Sequence, residues 1–543
     1  MKTSLMNWLK QGSPQVLLCL SLTTGVIQAK EASKKKEAPK AKVEVQQNQE
    51  LNKKLRATLE AYAKSDLQKR AMWEALKTFE DNEAELAPDL LEQLYRVRSE
   101  LLFESGYPAL SAEFAEKALT LSREPFGEQY AKVWRNLWQI TKAKSIQSIL
   151  EETSLQLAGK EGQPPEFANN WNYIIAHAHL QKSQTKTAIA SFEKLVMQDR
   201  YYMPGQYQLA LIAIEQNRAQ DAEALLRAML SPTVQDLSDL SRREIYDLTN
   251  YAHMALGRLY YQQGRFLEAV REYRLIPRNS TQFYDALFEQ SWALFMAGSI
   301  KHGLGTLYGA NSPYFSYKFN PEAKVLESIM YYWMCRYDDA RAALADFSEK
   351  HRDAVDSLSG FLDRQRLSPE TAYILFENLV AGVSAESIGI PISVLKTAAE
   401  TDSMLLARDQ YANLIEERNN LDTYGIFGIT KDIEAYKTLL RKRLTTQRTE
   451  LGTIYLGELR QLKDHFEEIY SQSQFLYLEL LMSQKEQILG RELHADSKVT
   501  KVTDKDAFVG WSRKTQSWQD NKFEYWWDEL GYQVIDVEPE CKI

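Results

Sequence analysis

Three cysteines, seven histidines, 15 prolines and 23 glycines in 543 residues set the first limits. So few turn-formers argue against a loop-rich all-β fold, and three cysteines allow at most one disulfide within the chain. Basic charge is short as well. Against 74 Asp and Glu there are 66 Lys and Arg, a net charge of −8, so no basic stripe survives to meet a phosphate backbone. Nucleic acid is therefore not expected as a partner. Motifs that mount chemistry are missing too: the chain has no Gly-x4-Gly-Lys-Ser/Thr, no His-Glu-x2-His and no Gly-x-Ser-x-Gly. Beyond residue 29 no stretch is long and apolar enough to span a membrane. What the chain does have is 44% hydrophobic and 11% aromatic residues, ample for burial. Its length exceeds a single compact core and fits two or three units or one long solenoid.

Residues 1–29 read as a secretory signal peptide. Lys2 and Lys10 give the positive start, Val16 to Ile27 is largely apolar, and Ala29 is a small residue suited to cleavage. Cys19 follows Leu17 and Leu18, which does not fit a lipoprotein cysteine. The expected location is the periplasm, with outer-membrane association open. Loss of the leader takes the net charge to about −10. Residues 30–45 form a charged linker around Lys34-Lys35-Lys36.

The rest reads as all-α, with a period. Leu256, Gly257 and Tyr260 share one helical face; Gly264 breaks the pattern; Phe266, Ala269 and Tyr273 open a second face. Small residues recur in the slot of Ala269: Ala188, Ala222, Ala269, Gly303 and Ala340, at steps of 34, 47, 34 and 37. Four positions after each stands an apolar residue: Phe192, Leu226, Tyr273, Leu307 and Leu344. Twelve positions before each stands a small one: Ala176, Ala210, Gly257, Ser291 and Ser328. Close helix pairs need small residues where backbones meet and large ones beside them. The order Leu-Gly-x2-Tyr then Gly-x-Phe-x2-Ala-x3-Tyr resembles the tetratricopeptide repeat, a helix-turn-helix unit of about 34 residues.

On this reading residues 46–165 are degenerate helical repeats, including Ser99, Gly106, Ser111 and Ala115, and residues 166–350 are the regular array. The extra 13 residues before Ala269 fall at Pro232 to Arg242, expected as an exposed loop. Residues 351–430 are a helical connection and 431–494 a long helix. Within it Leu459, Leu462, Phe466, Ile469, Ser473, Leu476 and Leu480 step by 3 and 4, as in a coiled coil. That seam suits either a hairpin packed on the chain or self-association. Residues 495–543 form an aromatic tail with Trp511, Trp518, Trp526 and Trp527, expected to dock as a cap on the repeats.

Candidates for chemistry are weak. His177 and His179 stand two apart on a helix, about 200° around it, and cannot share a metal. Gly303-Leu-Gly-Thr-Leu-Tyr-Gly imitates a phosphate loop but lacks the lysine. The acidic pairs Asp338-Asp339 and Glu416-Glu417 read as solvated faces. No catalytic residue, metal ligand or cofactor is expected. Cleavage of the leader would leave Cys335 and Cys541, which in an oxidising compartment are candidates for one disulfide.

The run Pro321 to Ala340 with Phe347, and the ending Tyr525-Trp-Trp-Asp-Glu-Leu-Gly-Tyr with a near-terminal cysteine, resemble exported tetratricopeptide proteins of gliding and predatory bacteria. The resemblance implies a subunit of an envelope complex, such as a gliding-motility apparatus. The expected function is a non-enzymatic scaffold whose concave face binds protein partners. The alternative is an envelope enzyme, for instance one acting on peptidoglycan, with catalytic residues dispersed in the C-terminal half.

Overall fold

The computed structural model describes residues 44–64, 68–144, 154–157, 165–364, 367–382, 389–489, 527 and 530–541. The expected leader, the linker up to residue 43, and Trp511, Trp518 and Trp526 lie outside them. The described residues are predominantly helical; isolated β-bridge positions occur at Ile426 and Ile429, which pair with each other, and at Val534. The chain divides into two units. One holds described residues within 44–205 and 406–448, the other those within 206–405 and 449–541.

The N-terminal unit contains α1 (Glu44–Ala63), α2 (Lys69–Lys77), α3 (Pro88–Glu104), α4 (Pro108–Leu121), α5 (Ala131–Lys144), α6 (Pro165–Gln181) and α7 (Thr185–Phe192). Its core is completed by residues remote in sequence: Trp73 and Phe114 pack on Tyr436 at 5.2 and 5.8 Å, alongside buried Leu421, Ile426 and Leu440. Glu417 belongs to this core. Expected on a solvated face, it is buried and accepts the backbone N–H groups of Ala109 and Leu110 at 2.8 and 2.9 Å. Those donors lie in the first turn of α4, where no preceding carbonyl can reach them. A carboxylate there satisfies both and meets the positive end of the helix dipole.

The chain continues through α8 (Tyr202–Glu215), α9 (Ala219–Met229), α10 (Pro232–Leu237), α11 (Arg242–Gln262), α12 (Phe266–Arg274), α13 (Phe283–Met296), α14 (Ile300–Ala310), α15 (Glu322–Trp333) and α16 (Tyr337–Arg364). Then come α17 (Pro369–Val380), α18 (Ile392–Ala399), α19 (Asp402–Tyr424) and α20 (Glu434–Ile488). The division between units falls inside α8, α19 and α20.

One local geometry recurs in every regular pair. The turns after α3, α6, α8, α11, α13 and α15 each hold one residue in the left-handed region: Gly106, Ser183, Asn217, Gly264, Gly298 and Cys335. In each, the next N–H donates to the carbonyl five residues back, as from Arg265 to Tyr260 at 2.8 Å and from Arg336 to Tyr331 at 3.0 Å. This is the Schellman ending, which satisfies carbonyls that a helix end leaves open.

Five residues after each left-handed residue stands the buried small residue: Ser111, Ala188, Ala222, Ala269, Gly303 and Ala340. In two of the pairs a residue twelve positions earlier is among its direct neighbours. A Cβ on Gly303 would meet the Ser291 carbonyl oxygen at 3.3 Å, and Ser328 Oγ donates to the Ala340 carbonyl at 2.8 Å. Gly257 serves the large residue instead: a Cβ there would lie 2.4 Å from the Tyr273 ring. The insertion before α11 is not a bare loop. Pro232 presets the first turn of α10 and Val234 is buried under it.

The 3-and-4 seam of α20 packs on this same chain. Phe466 stacks on Phe347 at 5.8 Å, Leu459, Ile469, Leu476 and Leu480 are buried, and Tyr332 Oη meets Ser483 Oγ at 3.2 Å. Its surroundings are therefore α15 and α16, while Phe475 and Leu478 on the other side are exposed at 70% and 57%. Among the described residues no helix is long and apolar enough to cross a membrane.

Candidate functional site

Two sites meet on α13, on opposite faces. At 100° per residue, Phe283, Leu287 and Gln290 share one side while Asp285 and Glu289 share the other.

The charged side joins first helices of successive pairs. Glu289 takes a bidentate pair from Arg258 of α11, with Nη2 to Oε1 at 2.7 Å and Nε to Oε2 at 3.0 Å. It also accepts from Tyr273 Oη at 2.9 Å. Asp285 is open to solvent yet crowded by protein, and this crowding desolvates its carboxyl and raises its pKa, with Glu289 and Asp402 adding to the rise and Lys318 and Arg258 opposing it. Lys318 pairs with Glu400 at 3.2 Å, and Tyr251 Oη donates to Asp402 at 3.2 Å.

Deeper in, the buried carboxyl of Glu322 lies 3.7 Å from His465 of α20. Burial pushes Glu322 up to about 7, and the carboxylates of Glu289 and Glu468 add to the rise. Burial pushes His465 down to about 4. At neutral pH the imidazole is uncharged and does not hold Glu322 ionised. At 3.7 Å the two groups are too far apart to share a proton directly, and their side chains are only 10% and 13% exposed, which leaves a substrate little approach. A neighbouring network ties α9 to the next pair: Arg227 reaches Glu272 at 2.7 Å and Tyr260 Oη at 2.8 Å, and His253 meets Glu272 at 2.8 Å.

The other face of α13 and the adjoining side of α14 form a slot filled by the chain's own C-terminal residues. The triple glycine that imitates a phosphate loop lies within α14. Gly303 faces its partner helix, whereas Gly305 and Gly309, one turn apart, face the tail. A Cβ on Gly305 would lie 2.0 Å from the Gln533 carbonyl oxygen, so a side chain and the tail cannot coexist there.

Leu530 is fully buried among Phe283, Tyr284, Leu287, Ala310 and Phe315. The Gly531 carbonyl accepts from Gln290 Nε2 at 3.1 Å, and its φ of +84° would strain any other residue. Further along, Ile535 N–H donates to the Lys301 carbonyl at 3.2 Å, and Lys301 Nζ bridges Asp536 and Glu538 at 2.8 and 2.6 Å. Glu540 N–H donates to the Met334 carbonyl at 2.8 Å, and Cys541 is bonded to Cys335, Sγ to Sγ 2.02 Å. The described tail thus runs antiparallel to α14 along the flank of α13–α14 and ends at the α15–α16 turn, instead of crossing the end of the pairs as a cap. The side-chain-free strip on α14 directs it there. A cavity of about 430 Å³ remains beside it, lined in part by Tyr273, Arg274, Arg278, Trp527 and Tyr532.

The remaining sequence candidates separate. His177 packs between Tyr173 and Phe192 at 4.5 and 5.5 Å, and burial lowers its pKa to about 4, while His179 pairs with Gln184 at 2.7 Å. Asp338 and Asp339 pair with Arg341 and Arg336. Among the described residues no group of three or more His, Cys, Asp or Glu could hold a metal. Sequence reading missed Arg258, Glu289, Glu322 and His465, because their proximity depends on which helices become neighbours. It also missed Gly305 and Gly309 as a slot, although their spacing on a helix was visible. Compared with known proteins, the chain matches no family model and no curated protein.

Proposed function

We propose that this chain is a tetratricopeptide-like α-solenoid that serves as a non-enzymatic scaffold of the bacterial cell envelope, binding a protein partner on its first-helix side. The observation that carries this reading is the charged side itself. Asp285 and Glu289 of α13 lie with Arg258 of α11, Lys318 and Asp402, with Asp285 open to solvent. The repeated left-handed turns and small-residue slots support the solenoid part of the reading.

Carboxylates outnumber cations on this side, so the partner surface is expected to be basic. The sequence resemblance suggests an envelope motility complex as the setting and the periplasm as the place. Pulldown from crosslinked cell envelopes tests the reading, with Asp285→Lys compared against the parent chain. Partner capture should fall at least tenfold with the melting temperature unchanged. An unchanged partner set would sink the first-helix reading. Loss on replacing exposed Phe475 and Leu478 by serine, with Asp285→Lys silent, would move the site to α20.

A further inference from the structure

We propose that the slot on α13–α14 is a peptide-docking site which the Cys335–Cys541 disulfide keeps closed, and that its occupant, once the bond is reduced, is the C-terminal segment of a second copy of this chain. This goes beyond the scaffold reading and does not depend on it.

The slot has the attributes of a peptide site. Gly305 and Gly309 admit an extended backbone, Gln290 binds its carbonyl at residue 531, and a closed apolar pocket takes one leucine. The far end selects charge, since Lys301 meets Asp536 and Glu538, and Arg336 meets Glu540 at 3.3 Å. The ligand class is thus an extended acidic segment with a Leu-Gly step. Within this chain residues 530–541 satisfy it.

Thirty-seven residues separate Leu489 from Trp527, a contour of up to about 120 Å. A segment of that many residues is long enough to reach a neighbouring molecule. The disulfide removes that choice by fixing Cys541 at the α15–α16 turn. Opening it needs a dithiol reductant: two electrons and two protons give two thiols on the protein, and the dithiol closes to its own disulfide.

The experiment uses the full chain and a labelled peptide of residues 527–543 carrying Cys541→Ser, read by fluorescence anisotropy. Oxidised protein should not capture the peptide, whereas protein reduced with dithiothreitol should. A Leu530→Ala/Cys541→Ser chain, with an intact slot and a weakened tail, should bind at least tenfold tighter than Cys541→Ser alone. Gly305→Val should abolish the capture seen after reduction. Asp285→Lys, on the opposite face of α13, should leave capture unchanged, which separates failure here from failure of the scaffold reading. Equal capture with and without reductant would overturn the gate. No capture by the double variant, with its circular dichroism intact, would overturn the docking site, as would capture of a scrambled acidic peptide equally well.

Discussion

The two faces of α13 gather distant segments by opposite means. On the charged side, long side chains reach across: Arg258, Tyr273 and Glu289 come from three helices and meet at 2.7 to 2.9 Å. In the slot, side chains are deleted and the backbone itself arrives, with the tail over Gly305 and Gly309. The difference matters for how each site fails. A charged network can exchange partners or take up water when one member is lost. A slot of backbone width has no such slack, because even a methyl group on Gly305 occupies the place of the Gln533 carbonyl.

The largest effect should come from breaking that second logic. Gly305→Val should expel residues 530–535 and destabilise the C-terminal unit by about 3 kcal/mol or more, an overpacking cost with added loss of buried Leu530. Hydrogen exchange should report tail amides such as Ile535 losing protection, and a protected Ile535 amide would refute it. Cys541→Ser should cost about 2–5 kcal/mol in reversible denaturant unfolding, since the bond closes a loop of 206 residues in sequence separation. Its Ile535 amide should stay protected more than in Gly305→Val, because Leu530 and Gln290 still hold the tail.

On the charged side the sharpest measurement is pH. Burial raises Glu322 to about 7 from an ordinary value of 4.5, so the folded state binds its proton more tightly than the unfolded one. That contribution is neutral below about pH 4.5 and turns destabilising as pH rises through the folded value. Glu322→Gln removes it, so the variant should gain on the parent from pH 5 to 8, towards a difference of about 3 kcal/mol. Taking the difference between chains cancels the opposite trend of His351, lowered to about 4 by burial, which loses stability as pH falls. A constant difference across that range would show that Glu322 is ionised in the folded protein.

Gly257→Leu tests the junction of the two logics. Its side chain would drive into Tyr273, which is 2% exposed and bonded to Glu289, so a loss of about 1–3 kcal/mol is expected. An unchanged melting curve would show that the pair opens without cost. The smallest effect is expected at Gly309→Ala. There a Cβ is crowded by Gln533 Oε1 at 3.2 Å, the end of a side chain that can turn aside, while Leu530 Cδ2 at 3.4 Å and the Gly531 nitrogen at 3.5 Å lie at ordinary contact distance, so the change should stay below about 1 kcal/mol. The contrast between Gly305 and Gly309, one turn apart, measures how much of the slot is backbone.

Local pattern sufficed for much of the fold. Helical period, the break at Gly264 and small residues at a fixed spacing are short-range signals, each readable within about a dozen residues. They located the pairs from α6 to α16, and the same slots at Gly106 and Ser111 located α3 and α4. Cys335 occupies the position that Gly264 and Gly298 hold in other turns, at a backbone cost on the order of 1 kcal/mol for a non-glycine residue. Its sequence context marked it as a turn residue, and the low cysteine count left Cys541 as its candidate partner.

Sequence alone determined the helical class and the spacing of the small residues by which each regular pair closes, because those depend on neighbours within one repeat. Tertiary structure alone decided what touches across long separations. Glu417 on the first turn of α4, Tyr436 against Trp73, and Glu322 beside His465 are ordinary helical residues until distant helices meet. The tail shows why. Its apolar and acidic pattern required some surface, but only the packed α13–α14 pair presents two glycines in line, and the place of docking is a property of that surface rather than of the tail.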